Sequence, residues 1–285
     1  MTLFASFKTT LEMIKFEHTV FALPFALLSA ILASGGVPNK SKLLWILLAM
    51  VGARSAAMAF NRIADWSIDA ENPRTRMRAL PARHLSLTFA ICFTVGSSLL
   101  FIFSASKLNP LCLWLSVPVL LILLSYSYTK RFTIYSHLFL GLCLGLAPLG
   151  AWIAVRGDVQ VTPILLTLIV LLWTAGFDII YACQDVDFDR QKNLFSIPEH
   201  FGIGTALRVS LGLHALMLLF LFLLFLIEGL SWISLVGILM VGCLLGYEHS
   251  LVRPNDLSRV NAAFFTVNGY ISLLLLLAVG LDKLI

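Results

Sequence analysis

Charged side chains are scarce in this chain: Asp, Glu, Lys and Arg make up 12% of its 285 residues, where soluble domains carry about 25%. So few charges cannot cover a protein with water-facing groups, which argues against a soluble globular domain. Strict apolar–polar alternation is also lacking, and membrane barrels require it. Cysteine offers little: Cys92, Cys112, Cys143, Cys183 and Cys243 are scattered through apolar stretches, none at ligand spacing, and read as small packing residues. His137, His200, His214 and His249 likewise lack ligand spacing, so a histidine metal cluster is not expected; His18 could face a cavity. No basic stripe is interleaved with aromatics, which speaks against a nucleic-acid partner.

What is present is apolar length. Hydrophobic residues make up 59% of the chain. They fall into nine blocks, approximately 20–34, 43–60, 87–105, 111–126, 135–155, 164–183, 206–227, 232–246 and 262–281. A bilayer core takes roughly 20 helical residues, and several blocks are shorter. The expected fold is an all-α integral membrane bundle of about nine transmembrane helices, forming a single domain over residues 1–285. Block 20–34 has the length of a signal-peptide core, and the small residues Ala33, Ser34 and Gly35 follow it. Glu12, Glu17 and Pro24 argue against cleavage. Residues 4–16, within an N-terminal stretch 1–18, read as an amphipathic helix on the membrane surface.

Orientation follows from the basic residues. With the N-terminus cytoplasmic, one side holds Lys8, Lys15, Arg62, Arg74, Arg76, Arg78, Arg83, Lys130, Arg131, Arg190, Lys192, Arg253 and Arg259, with Arg54 and Arg208 near helix ends. The other holds Lys40, Lys42, Lys107, Arg156 and Lys283. The split is 15 to 5, so the N-terminus and the long loops are expected in the cytoplasm, and the protein in the plasma (inner) membrane. The net charge of +5 is then a topology signal.

Two long polar stretches, residues 61–86 and 178–205, hold most of the acidic residues and are expected as cytoplasmic loops. Asn61, Asp65 and Asp69 are four apart, as are Tyr181, Asp185 and Asp189, and the offset is constant: 181−61, 185−65 and 189−69 all give 120. A weak internal repeat would explain it. Residues four apart on a helix share a face, about 6 Å apart along the axis. An Asp at the bilayer centre costs roughly 2.5–3.5 kcal/mol. Five or six at depth would cost on the order of 15 kcal/mol, comparable to a domain's whole stability. The carboxylates are therefore expected at the mouth of the bundle, neutralised by cations. Mg²⁺ suits them, being a hard ion that takes oxygen ligands and keeps waters or substrate phosphates. Two such rows could hold two or three Mg²⁺ ions bridged by a diphosphate. The bland alternative is a solvated, helix-capping acidic loop, which two matched motifs make less attractive.

Basic residues lie near the acidic ones. Arg54 is seven residues before Asn61 on the same face, and an intramembrane arginine is a functional candidate; a structural ion pair is the alternative. Lys130 and Arg131 end the fourth block, and Arg74, Arg76 and Arg78 crowd the first polar stretch. Any of them could hold phosphate oxygens, though most loop arginines set topology.

At these residues the chain resembles the UbiA family of intramembrane prenyltransferases. That family carries Asn-x-x-x-Asp-x-x-x-Asp after its second helix and Tyr-x-x-x-Asp-x-x-x-Asp after its sixth, here Asn61/Asp65/Asp69 and Tyr181/Asp185/Asp189. The resemblance extends to Gly52-Ala53-Arg54, Asn72-Pro73-Arg74-Thr75, residues 126–131 and Asp178. It is strongest to the bacterial branch named for 4-hydroxybenzoate polyprenyltransferases, part of which acts on a hydroxynaphthoate. One departure is Ala82, where relatives usually carry Gly after the proline. The resemblance implies a cytoplasm-facing polar cavity, Mg²⁺ as cofactor, and transfer of a polyprenyl group from its diphosphate to an aromatic acid in ubiquinone or menaquinone synthesis. It implies that Asn61, Asp65, Asp69, Asp185 and Asp189 hold metal and diphosphate. Arg54, Arg78, Tyr126, Lys130, Tyr181 and Asp178 would bind diphosphate or orient the acceptor, with Arg54 on the acceptor's carboxylate. A monomer in the lipid bilayer is expected.

Two other classes compete. A CDP-alcohol phosphotransferase would need Asp-Gly and Ala-Arg pairs ahead of one acidic motif, a setting Ala53-Arg54 lacks. A transporter would carry charges and broken helices at mid-membrane; Pro118 and Pro148 lie within blocks, but the charges cluster at one face.

Overall fold

A computed structural model describes residues 3–15 and 19–285; His18 lies outside them. The helices are α1 (Leu3–Met13), α2 (Thr19–Ser34), α3 (Lys40–Ala64), α4 (Trp66–Glu71), α5 (Leu87–Ser106), α6 (Pro110–Thr129), α7 (Ser136–Arg156), α8 (Val161–Ala182), α9 (Val186–Lys192), α10 (Ile197–Phe201), α11 (Ile203–Ile227), α12 (Trp232–Ser250) and α13 (Asn268–Leu284). A π-helical turn, Ala262–Val267, leads into α13. The described residues form no β-strand, only an isolated bridge between Arg253 and Asp256. The predominance of helix follows from the solvent. Lipid cannot hydrogen-bond the backbone, and a helix satisfies its polar groups internally.

Among the described residues eight helices are long and apolar enough to cross a membrane, against about nine expected. The remaining apolar block corresponds to α2, which is described over the 16 residues Thr19–Ser34 and is apolar along its length. Many large apolar side chains, such as Leu99, Trp114 and Leu121, are exposed. In water such faces would be sticky; against lipid tails they are at home.

The chain divides into two compact units, one of Met1–Thr19 and Lys40–Tyr128, the other of Val20–Asn39 and Thr129–Ile285. In the first, α3 packs on α5 at Gly52, where an added Cβ would lie 2.7 Å from the backbone nitrogen of Phe101. Met13 and Ile14, at the end of α1, pack with Ala59 of α3. Lys8 and Glu12 form an exposed pair on α1, while Met13 and Ile14 are buried.

In the second unit α8 is the central helix, and its Trp173 and Phe177 are fully buried. Edge-to-face and tilted rings of Phe21, Phe25 and Phe264 surround them. On α7, Gly141 and Gly145 let the backbones of α7 and α8 approach: a Cβ on Gly145 would lie 2.7 Å from the carbonyl oxygen of Thr167. Such small-residue contacts drive helix association where no hydrophobic force acts between helices in lipid. Polar bonds add direction. The Trp173 indole donates to Asn268 Oδ1 (2.6 Å), and Asn268 Nδ2 donates to Glu248 Oε1 (2.9 Å). Ser210 donates to the Gly176 carbonyl (2.7 Å).

Gly145→Ala should lower stability by about 1–3 kcal/mol through overpacking, read as a lower melting temperature in detergent. Gly150→Ala, whose Cβ would meet nothing within 4 Å, should be neutral or stabilising by up to about 1 kcal/mol, the helix-propensity gain.

Candidate functional site

The first acidic motif straddles a helix break. α3 carries Arg54, Asn61 and Arg62 and ends at Ala64; Asp65 turns out of the helix at φ −95°, ψ 6°, and α4 begins at Trp66. The hydrogen-bond ladder survives the break, because the Asp65 amide donates to the Asn61 carbonyl (2.9 Å) and the Asp69 amide to the Asp65 carbonyl (2.7 Å). Asn61, Asp65 and Asp69 therefore remain in four-residue register. Asn61 Nδ2 donates to Asp65 Oδ2 (3.2 Å) and, at 3.5 Å, to Ser127 Oγ. Asp65 and Asp69 are buried, at 3% and 4% exposure.

Asp69 is the electrostatic centre of this motif. Arg78 Nη1 lies 2.7 and 2.8 Å from its two oxygens, and Arg62 Nη1 lies 3.5 Å from Oδ2. Arg62 is itself buried, and its Nε donates to the Met13 carbonyl (3.3 Å). Thr75 donates to the Asp69 carbonyl (3.1 Å), folding the following turn back so that Arg78 reaches the carboxylate.

The second motif repeats the local construction. α8 ends at Ala182, one 3₁₀ turn spans Cys183–Asp185, Asp185 sits at φ −104°, ψ 5°, and α9 begins at Val186. Asp65 and Asp185 thus occupy equivalent N-cap positions with near-identical backbone angles. An N-cap Asp ordinarily accepts a backbone N–H of the first turn. Neither carboxylate does so here, so capping does not account for these two aspartates. After α9, Asn193 adopts a left-handed conformation and the Leu194 amide donates to the Asp189 carbonyl (2.9 Å). Ser196 Oγ donates to Asp189 Oδ2 (3.1 Å). One turn before Tyr181, Asp178 Oδ2 lies 2.7 Å from His137 Nδ1.

Of the stretches expected as loops, 178–205 is thus largely helical, whereas 61–86 is helical through Glu71 and then runs as turns to Ser86. Hydropathy marks where the apolar run stops, whereas the helices continue through the polar residues 61–71 and 178–192, which carry no proline or glycine.

The remaining expected residues divide between the units. In the first, Arg54 Nη2 donates to the Lys15 carbonyl (3.1 Å). Of the loop arginines, Arg78 pairs with Asp69, while Arg74, Arg76 and Arg83 are exposed. Arg83, one place after Ala82, takes the left-handed φ of 57°. Tyr126 is half-buried near the end of α6. In the second unit, Tyr181 lies against Phe264 with centroids 4.3 Å apart, and the Lys130 carbonyl accepts from the Phe195 amide (2.8 Å). Four residues escaped the reading of the sequence: Arg62, Ser127, His137 and Ser196. Ser196 had a signal, since Ser196-Ile197-Pro198-Glu199 has capping-box spacing with a proline at the helix start.

Among the described residues no three His, Cys, Asp or Glu side chains gather into a self-sufficient metal cage. The donor set still fits Mg²⁺. It is all hard oxygen, and Mg²⁺ is ordinarily bound by one or two carboxylates with waters and substrate phosphates completing its shell.

The chain is similar over most of its length to known proteins. The 4-hydroxybenzoate octaprenyltransferase of Alcanivorax borkumensis is 32% identical over 225 residues, covering 79% of this chain and 77% of that protein. The apo structure of a UbiA homolog from Aeropyrum pernix K1 has a TM-score of 0.85 and 34% identity, covering 94% of this chain and 98% of that one. A UbiA homolog from Archaeoglobus fulgidus, solved bound to DMAPP and Mg²⁺, has a TM-score of 0.77 at 20% identity over 96% of this chain and 98% of that one, a likeness of fold. The model of the UbiA prenyltransferase family matches residues 22–273, and this multi-pass membrane protein belongs to that family.

Proposed function

We propose that the protein transfers a polyprenyl group from polyprenyl diphosphate to the ring of 4-hydroxybenzoate or a hydroxynaphthoate, with Mg²⁺, in the synthesis of a membrane quinone. The observation that carries the reading is the pair of acidic motifs, each with two aspartates set across the same backbone break and its first Asp withheld from capping. The substrates in the names of the relatives, 4-hydroxybenzoate in one and DMAPP with Mg²⁺ in another, support it. The basic-residue split of 15 to 5 supports a cytoplasmic N-terminus and active-site rim in the plasma membrane. In this reading the whole chain acts as one catalytic domain.

Asn61, Asp65, Asp69, Asp185 and Asp189 would hold the metal. Bound there, Mg²⁺ would supply neutralisation of the diphosphate as its C–O bond breaks. The chain's own residues do the rest. Arg78 and Lys130 offer cationic donors to diphosphate oxygens, and Arg78 can exchange its Asp69 partner for them. Tyr126, Tyr181 and Asp178 orient the acceptor, and Arg54 faces its carboxylate. The electron-rich ring attacks the allylic cation, a new C–C bond forms, and loss of the ring proton restores aromaticity. Apolar membrane-embedded helices keep water from the cation.

Asp65→Asn and Asp185→Asn should each lower transfer of a radiolabelled prenyl group by about 100-fold or more while the protein stays inserted and folded; turnover near the unmodified rate would sink the proposal. EDTA should abolish transfer and added Mg²⁺ restore it. Asp69→Ala should behave differently. It strands the buried Arg62 and should also cost about 3–5 kcal/mol of stability, seen as a lower melting temperature. Offering benzoate and naphthoate acceptors singly to the purified protein identifies the ring, since the preferred one should show the higher kcat/KM.

A further inference from the structure

We propose that His137 is a positioning residue that ties Asp178 to the segment holding Asp189, so that the acceptor and diphosphate ends of the second motif keep one register. The inference rests on the assignment of Asp178 to the acceptor and Asp189 to the diphosphate. His137 is the second residue of α7, and its ring is buried at 3% exposure. Its two nitrogens have different partners. The backbone N–H of Ile197 lies 3.4 Å from Nε2, and a backbone amide can only donate. Nε2 therefore presents its lone pair, and the ring hydrogen sits on Nδ1, donated to Asp178 Oδ2 at 2.7 Å. The partners thus select the tautomer.

Each arm leads to the chemistry. The Asp178 side chain remains 20% exposed, so the imidazole grips one carboxylate oxygen of a group still open to a ligand. On the other arm, Ile197 is the first residue of α10 and follows Ser196. The Ser196 hydroxyl oxygen accepts from the Glu199 amide (3.2 Å) while its hydrogen goes to Asp189 Oδ2 (3.1 Å). Ser196 and Ile197 are buried at 4% and 6% exposure, where water is poorly placed to replace a lost partner. A chain of contacts therefore runs from Asp178 through His137, Ile197 and Ser196 to Asp189, all within one unit of the fold.

The two arms can be cut separately. In His137→Asn the amide nitrogen stands near Nδ1 and can keep Asp178, but nothing reaches Ile197. In His137→Gln the amide oxygen stands near Nε2 and can keep Ile197, but not Asp178. With detergent-purified protein, Mg²⁺, 4-hydroxybenzoate and geranyl diphosphate, H137N should raise KM for the diphosphate about tenfold and leave KM for the acceptor within about threefold. H137Q should do the reverse. Amide hydrogen exchange gives a readout without turnover: protection at Ile197 should fall about tenfold in H137N and persist in H137Q. A residue that only supported the fold would shift melting temperature and kcat in both variants alike, so indistinguishable KM pairs with unchanged exchange at Ile197 overturn the proposal. Asp178→Asn separates the two kinds of failure. If it leaves the acceptor KM unchanged, the assignment of Asp178 is what falls; if it raises that KM while H137N and H137Q match each other, the role of His137 falls.

Discussion

A carboxylate withdrawn from water must be given a partner, and that constraint organises both halves of this protein. Asp69, at 4% exposure, has Arg78 at 2.7 Å and the buried Arg62 at 3.5 Å. Removing one member of such a pair costs more than the pair contributes, because the survivor is left charged in a low dielectric. Asp69 is thus both a candidate ligand and the counter-ion that makes Arg62 tolerable inside α3. Arg62 in turn reaches the Met13 carbonyl, so the charge balance at the motif also fastens the end of α1. Asp178 is answered by a histidine and Asp189 by a serine hydroxyl. These are weaker partners than a guanidinium, and they leave more of the negative charge for a cation brought from outside.

The break at Asp65 and again at Asp185 follows from the same need. A straight helix would carry the triads along one axis and use every backbone group internally. At φ near −100° and ψ near 5° the chain enters the sparsely allowed bridge region where many active-site residues sit. In the first motif the Asp69 amide still bonds back to the Asp65 carbonyl. The axis can turn there while four-residue spacing persists. Two segments 120 residues apart with the same device support an internal repeat far better than their sequences do, since little outside the motifs is alike.

That contrast shows what a sequence makes legible. Apolar runs report solvent, so the bundle was readable from composition. Four-residue spacing reports a helix face, so the acidic triads were readable too. Which arginine meets Asp69 was not. Arg54, Arg62, Arg74, Arg76 and Arg78 are equivalent as letters, and the choice depends on Thr75 folding the turn back onto the Asp69 carbonyl. His137 lies 41 residues from Asp178, a separation at which no local periodicity speaks.

Direction of the second motif depends on something more remote still. Each residue of an α-helix turns about 100°, so a small rotation of α8 would carry Tyr181 and Asp185 to another face. Hydrocarbon contacts alone resist rotation weakly, because one apolar face packs nearly as well as the next. The polar bonds of α8 do not share that tolerance. The Trp173 indole can meet Asn268 Oδ1 at 2.6 Å in only one orientation, and Asn268 is held in turn by Glu248. One turn along, the Gly176 carbonyl accepts from Ser210, and a side chain at position 176 would strike the His214 ring. The cost of burying Glu248 and His214 in a membrane protein is offset by a helix fixed about its own axis, and the acidic motif at its end inherits that fixed direction.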